Sequence, residues 1–202
     1  MKARKSHAGT SLAPEQAAGG MALIIIDMIS CWDFPDGEKV LAEAARIAPA
    51  IAAFKKRCRR AGVPAIYAND NLGRWRSDFK SLVDVSLKCG GNAALITTAL
   101  RPLDDDYFVL KPKHSAFHAT PMSLLLDHLK VQTVCMAGVS SDQCVMTSVA
   151  EARMRDLEVI VPRDLVASQS SARNRVALAQ FENTYRLRTT SASRIRLPAG
   201  KR

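Results

Sequence analysis

The sequence predicts a three-layer α/β/α sandwich built on a mostly parallel central sheet of about six strands. Short apolar runs alternate along the chain with stretches whose apolar residues recur at helical spacing. Repeated strand–helix units of this kind form parallel sheets with helices on both faces. The first apolar run, at residues 22–26, is continuous rather than alternating, as expected of a strand buried on both faces.

The predicted elements follow one another without an internal repeat. The first strand, Ala22–Asp27, leads into a helix at Glu38–Ala61, which ends at Gly62. We predict later strands at Pro64–Asn69, Tyr107–Lys111, Gln132–Ala137, Glu158–Pro162 and Tyr185–Thr189. We predict later helices at Pro121–Leu129, Gln143–Arg155 and Ser170–Asn183. This order is typical of a Rossmann-like sheet.

Two stretches lie outside this pattern. Residues 1–20 are basic and rich in small residues, so we expect a flexible N-terminal tail followed by one domain at residues 21–198. Residues 72–98 are the least regular part of that domain, and we expect a long, partly helical excursion across one edge of the sheet. Excursions of that length are usually functional or disordered.

Composition excludes several classes of protein. No apolar run approaches the roughly 20 residues of a membrane span, and the tail lacks the apolar core of a signal peptide. We therefore expect a cytoplasmic protein with no membrane partner. The net charge is +10, but residues 1–20 contribute +2 of it and residues 194–202 contribute +4. Since no basic stripe or nucleic-acid-binding motif accompanies that charge, we expect no nucleic-acid partner.

The five cysteines are odd in number and show no CxxC spacing. We therefore expect neither a structural zinc site nor a disulfide framework. Cys135 lies inside an apolar strand and is interpreted as a core residue. Cys58 has basic neighbours that favour a lowered pKa, but we favour a helix-surface thiol without a role.

Cys144 is placed differently, because it lies at the start of a helix that follows a predicted buried strand and a tight turn. A helix N-terminus presents unpaired N–H groups and about half a positive charge, which favour a thiolate. A thiolate there is a candidate nucleophile, and the N–H groups of the turn are candidate donors to an oxyanion. The alternative is a buried cysteine with no chemical role.

Asp27 and Lys111 lie at the carboxyl ends of predicted strands. Open α/β sheets place their active sites at the carboxyl ends of their strands, so we expect both residues beside Cys144. A lysine cation there would lower the pKa of the acid and of the thiol. The alternatives are that Asp27 caps the next turn, and that Lys113 rather than Lys111 is the functional lysine.

Three segments together resemble the cysteine hydrolases of the isochorismatase-like superfamily, which includes nicotinamidases, N-carbamoyl amidases and isochorismatases. The segments are IIIDM at 24–28, KPKHSAF at 111–117 and GVSSDQCV at 138–145. The likeness extends from about residue 21 to about residue 190. Two further segments, 32–38 and 69–79, are similar to a less-characterised bacterial branch.

The resemblance implies a catalytic triad. Cys144 would attack a carbonyl and form a thioester. Asp27 would pass the thiol proton to a leaving amine and later activate water, while Lys111 would stabilise both groups. The resemblance also implies a cis peptide at Val139–Ser140, which would aim the Ser140 N–H, with that of Cys144, into an oxyanion hole.

Departures from the family pattern narrow the predicted activity. Metal-bearing nicotinamidases carry an Asp-x-His motif with a further histidine, whereas residues 69–74 contain none. We therefore expect no metal and no cofactor. Cys144 favours C–N cleavage, since vinyl-ether hydrolysis needs an acid rather than a nucleophile. The alternatives are an isochorismatase-type hydrolase of a small carboxylated ring, and a non-catalytic member that binds a metabolite or a partner protein.

We expect a small-molecule substrate and a homo-oligomer, either a dimer or a tetramer. Arg74 and Trp75 suit an anionic or flat substrate, because arginine forks onto carboxylates and tryptophan stacks, with a subunit interface as the equal alternative. His114 either contacts substrate or makes a structural hydrogen bond, and Phe117 either lines the pocket or packs beneath it. The candidate substrate-binding residues are Trp32, Phe34, Asn69, Arg74, Trp75, His114 and Phe117.

Overall fold

The computed structural model describes residues 17–71 and 78–199. Within these ranges one parallel sheet has the strand order β3-β2-β1-β4-β5. Its strands are β1 (Met21–Ile26), β2 (Ala65–Asp70), β3 (Tyr107–Lys111), β4 (Thr133–Gly138) and β5 (Glu158–Ile160). β1 lies at the centre and is buried along its whole length, which explains its continuous apolar sequence.

Helices cover both faces of the sheet. They are α1 (Gly37–Arg60), α2 (Phe79–Lys88), α3 (Gly91–Ala99), α4 (Met122–His128), α5 (Met146–Arg153) and α6 (Ser171–Asn183). Successive side chains of β1 alternate between two cores: Leu23 and Ile25 pack with α1, α2 and α3, whereas Ile24 and Ile26 pack with α4, α5 and α6. The predicted three-layer sandwich is confirmed.

The sheet of the described residues has five strands rather than about six. The expected last strand, Tyr185–Thr189, makes a single bridge, between Arg188 and Ile160 at the edge beside β5. Arg186 has φ +56°, which interrupts extended backbone, and the Leu187 N–H turns back to the Phe181 carbonyl. The segment therefore touches the sheet without joining it.

The parallel arrangement brings the carboxyl ends of four strands to one edge. Register pairs Ile26 at the end of β1 with Ala68 in β2 and with Gly138 at the end of β4. A Cβ at Gly138, where φ is +114°, would lie 2.0 Å from the Ile26 carbonyl oxygen. Glycine is thus required for the ends of β1 and β4 to approach this closely.

The expected excursion at 72–98 contains α2 and α3, and residues 72–77 lie outside the described residues. A disulfide joins Cys31, in the loop after β1, to Cys89 at the end of α2, with a Cα–Cα distance of 5.7 Å. We expected no disulfide framework, and the count and spacing of the cysteines did not reveal this single bond. The two are 58 positions apart, and only the fold brings them together.

Two other cysteines lie in the core. Cys135 is fully buried, as predicted. Cys58 is also buried, on the inward face of α1, so its interpretation as a surface thiol is wrong. Burial raises the pKa of Cys58 to about 12, against the opposing influence of Arg57.

Residues 17–20, which we placed in the tail, pack against the domain. The Ala17 N–H donates to the Leu129 carbonyl and the Ala18 N–H to the Gly62 carbonyl. No helix among the described residues is both long and apolar enough to cross a membrane.

Candidate active site

Asp27, Lys111 and Cys144 converge at the carboxyl edge of the sheet. The Lys111 Nζ lies 2.8 Å from the Asp27 Oδ2 and 3.6 Å from the Cys144 Sγ. Lys111 is fully buried, and its ammonium also donates to the Lys113 carbonyl at 3.3 Å. The structure thus selects Lys111 over Lys113 as the lysine beside the cysteine.

Asp27 is held by the end of β2. Its N–H donates to the Ala68 carbonyl at 3.0 Å, and its Oδ1 accepts the Asp70 N–H at 2.8 Å. Asp27 has φ +53°, a left-handed conformation that aspartate tolerates better than most residues. Its carboxylate therefore serves the strand-end cluster and does not cap the following helix.

Cys144 lies in a π-helical turn, Ser141–Val145, which follows β4 and continues into α5. Such turns are frequent at functional sites. The Val139–Ser140 peptide that precedes it is cis, as the resemblance implied. The Ser141 N–H donates to the Ala167 carbonyl at 2.7 Å, which anchors the start of the turn.

The pKa of the Cys144 thiol differs from the prediction. Burial and the negative charge of Asp27 raise the pKa of the Cys144 thiol to about 12, and Lys111 offsets only part of that rise. The predicted low-pKa thiolate is therefore wrong. Lys111 favours a thiolate, but desolvation and the nearby carboxylate outweigh it. At neutral pH the resting residue is therefore a thiol, whose proton must be removed before it attacks.

Burial also affects the pKa values of the two charged partners, Asp27 and Lys111. It raises the pKa of Asp27 although Lys111 opposes the shift, so the carboxylate is a stronger base than an ordinary aspartate. Desolvation alone would lower the pKa of Lys111, but the negative charge of Asp27 raises it. Lys111 therefore remains a cation between the acid and the thiol.

A cavity of about 220 Å³ opens beside Cys144. This volume is below the roughly 300–1,000 Å³ of sites for drug-sized ligands, so it suits a small molecule. The walls are formed mainly by the loop after β1 and by residues around Cys144. The apolar lining residues are Ile29, Trp32, Phe34, Val40 and Val139.

The cavity gathers several of the predicted substrate-binding residues. Trp32, Phe34, Asn69 and His114 line it, as do both predicted oxyanion donors, Ser140 and Cys144. The Asn69 amide donates to the Ile29 carbonyl at 2.8 Å, which holds the loop after β1 in place.

Phe117 does not line this cavity. It is 3% exposed and packs in the core on the α4–α6 face, with the Arg155 guanidinium 5.0 Å from its ring centroid. Its substrate-binding role is therefore wrong, and packing beneath the site is the correct alternative. Arg74 and Trp75 lie outside the described residues.

Sequence reasoning missed part of the lining. Asp70, at the end of β2, was identifiable by the strand-end position that selected Asp27. Val139 and Gln143 lie in the segment 138–145 that contains Cys144, so their closeness to the nucleophile in sequence could have identified them. The residues missed are Ile29, Ser30, Val40, Asp70, Val139 and Gln143.

Across residues 17–71 and 78–199, no three or more histidine, cysteine or acidic side chains are grouped to hold a metal ion. Asp70 lies 3.6 Å from the Lys111 ammonium, which occupies the space beside its carboxylate. The absence of a metal requirement stays a prediction, to be tested with a chelator.

Comparison with known proteins places the chain in a family. The isochorismatase domain family matches residues 21–193. The uncharacterised isochorismatase family protein YaaI of Bacillus subtilis is 35% identical over 175 residues, which cover 86% of this chain and 95% of that protein. N-carbamoylsarcosine amidase of Arthrobacter is 23% identical over 81% of this chain and 68% of its own length.

Solved structures share the fold of this chain. The crystal structure of N-carbamoylsarcosine amidase from Thermoplasma acidophilum superposes with a TM-score of 0.62 at 24% identity, covering 87% of this chain and 98% of that one. The match to the isochorismatase domain and the 35% identity to YaaI show that the chain belongs to the isochorismatase family of hydrolases.

Proposed function

We propose that this protein is a metal-independent cysteine hydrolase that cleaves a C–N bond of a small amide or carbamoyl compound through a thioester on Cys144. The observation that carries the proposal is the buried cluster of an acid, a cation and a thiol beside a small cavity. Lys111 contacts both Asp27 and Cys144, so one cation positions the base and the nucleophile.

In the first half of the reaction, Asp27 acts as the general base. It accepts the thiol proton as the Cys144 Sγ forms a bond to the substrate carbonyl carbon. The C–N bond then breaks, and Asp27 gives the same proton to the leaving nitrogen. A general base is necessary because the thiol, with its pKa raised to about 12, is protonated at neutral pH.

In the second half, water attacks the thioester carbon and gives a proton to Asp27. The C–S bond breaks, the acid product leaves, and the proton passes from Asp27 to the Cys144 Sγ. One carboxylate thus serves both halves, and no proton is gained or lost by the enzyme over the cycle. The raised pKa of Asp27 suits this exchange, because it lies closer to neutrality.

The carbonyl oxygen becomes negative in both halves. We assign its stabilisation to the backbone N–H groups of Ser140 and Cys144, which both line the cavity. Loss of one such donor typically costs about 10²–10³-fold in rate.

Three features support a small amide or carbamoyl substrate. The cavity of about 220 Å³ limits the size of the acyl group. A nucleophilic cysteine suits acyl transfer, whereas vinyl-ether cleavage needs only an acid. One relative is named N-carbamoylsarcosine amidase, and the ureido group that its name implies contains the C–N bond that this mechanism cleaves.

The test is ammonia release from a panel of small amides, ureido acids and carbamoyl compounds, with isochorismate as a separate arm. Wild type is compared with Cys144→Ala, with and without a chelator. We expect turnover of at least one nitrogen compound, lost in Cys144→Ala and unaffected by chelation. Hydrolysis of isochorismate alone would replace the proposal with the ring-hydrolase alternative, and silence in all arms would favour a binding protein.

A further inference from the structure

The Cys144 sulfur has a polar neighbour that the triad does not use. The His114 Nδ1 lies 3.6 Å from the Cys144 Sγ, the same distance as the Lys111 Nζ. His114 follows β3 and lines the cavity, and it is exposed whereas Lys111 is fully buried. The imidazole therefore reaches the sulfur from the solvent-exposed side of the site.

We propose that His114 is a further catalytic residue, whose Nδ1–H donates a hydrogen bond to the Cys144 sulfur and stabilises the thiolate that forms during attack. This inference rests on the proposed role of Cys144 as the nucleophile. It assigns to His114 a role in charge stabilisation and gives it no role in proton transfer.

The chemistry of the attack assigns the direction of this contact. In the proposed mechanism Asp27 takes the thiol proton, so the attacking sulfur has only lone pairs to offer His114. The sulfur lone pairs face Lys111, which has only N–H donors, and the Nδ1 of His114. An imidazole that carries a proton on Nδ1 satisfies this arrangement.

The contact gains strength when the reaction begins. As Asp27 takes the thiol proton, negative charge develops on a sulfur that is largely removed from water. Hydrogen bonds to an ionised acceptor are stronger than those between neutral groups, so the Nδ1–H stabilises the thiolate more than the thiol. The imidazole proton stays on Nδ1, and the proton balance of the reaction is unchanged.

A purely structural role does not account for this position. An exposed ring in the loop after β3 adds little to the core, and the neighbouring backbone is anchored by other residues. The Ala116 N–H donates to the buried Ser148 Oγ, and the Phe117 N–H donates to the Ser115 Oγ. The segment is thus held in place without the His114 ring.

The test compares three variants by the rate at which iodoacetamide alkylates Cys144, at one fixed pH and without substrate. In His114→Asn the amide nitrogen occupies the place of Nδ1, so we expect a rate close to wild type. In His114→Gln the amide falls near the place of Nε2, and in His114→Phe no donor remains. For both we expect a rate about 10-fold lower or more. Cys144→Ala supplies the background from the other cysteines.

Two results would overturn the proposal: an unchanged alkylation rate in His114→Phe, or an equal loss in His114→Asn and His114→Gln. The thermal midpoint of each variant checks its folding, and the Asn–Gln pair still decides the question if His114→Phe does not fold. A substrate-contact role would raise KM without slowing alkylation. Because alkylation needs no substrate, failure of the proposed function appears separately, as a wild type that hydrolyses none of the panel.

Discussion

Asp27→Asn should make Cys144 more reactive while it abolishes turnover. In the wild type the negative charge of Asp27 is, after burial, the largest cause of the raised thiol pKa. Asparagine removes that charge and leaves the Lys111 cation beside the sulfur. The thiol pKa therefore falls from about 12 toward its ordinary value of 9.0.

The size of the effect follows from the thiolate fraction. Each unit by which the pKa falls raises the thiolate fraction near neutral pH about tenfold. A full return to the ordinary value would give about a thousandfold gain, and residual burial keeps the expected gain at roughly 10- to 100-fold. Turnover should fall by about 10²–10⁴-fold, because the variant has no general base.

The assay is the pH dependence of iodoacetamide alkylation, paired with turnover of the best substrate of the panel. In wild type the rate should climb through pH 7–10 without reaching a plateau, since the thiol pKa is about 12. In Asp27→Asn the curve should move to lower pH. Alkylation that slows together with turnover would refute the reasoning, because it would mean that the carboxylate activates the resting thiol.

Three other predictions use the same protein. Lys111→Met should slow alkylation of Cys144, the opposite sign to Asp27→Asn, because it removes the cation that lowers the thiol pKa; faster alkylation would contradict this. Cys89→Ser should lower the free energy of unfolding by about 4 kcal/mol, because it opens the loop that the disulfide closes across 58 positions. The thermal midpoint should fall accordingly, and a reductant should lower it by the same amount in wild type. Dialysis against a chelator should leave turnover unchanged, and a loss restored by zinc would disprove metal independence.

The sequence predicted most of the fold, because the strands that build this sheet are apolar and short. The run before Asp27 is buried on both faces, so its pattern is unambiguous. The segment at 185–189 alternates polar and apolar residues, as an edge strand does, but Arg186 adopts a left-handed conformation there. That conformation depends on how residues 185–189 pack against β5, which the local sequence does not indicate.

The identities of the three candidate catalytic residues and their order along the chain were predictable from the sequence, but the pKa of the thiol was not. Asp27 and Lys111 were identified by their positions at the ends of predicted strands, and Cys144 by its position in the turn after β4. The thiol pKa depends on burial and on the position of the carboxylate, which exist only in the folded protein. The Cys31–Cys89 bond was hidden for the same reason, since its partners are distant in sequence.

The most direct test of the central claim is the intact mass of the enzyme quenched in acid during turnover of the substrate that the ammonia panel identifies. The account predicts that wild type gains the mass of the acyl group, that the peptide containing Cys144 carries it, and that Cys144→Ala shows neither the adduct nor turnover. Turnover by Cys144→Ala at the wild-type rate would contradict the account.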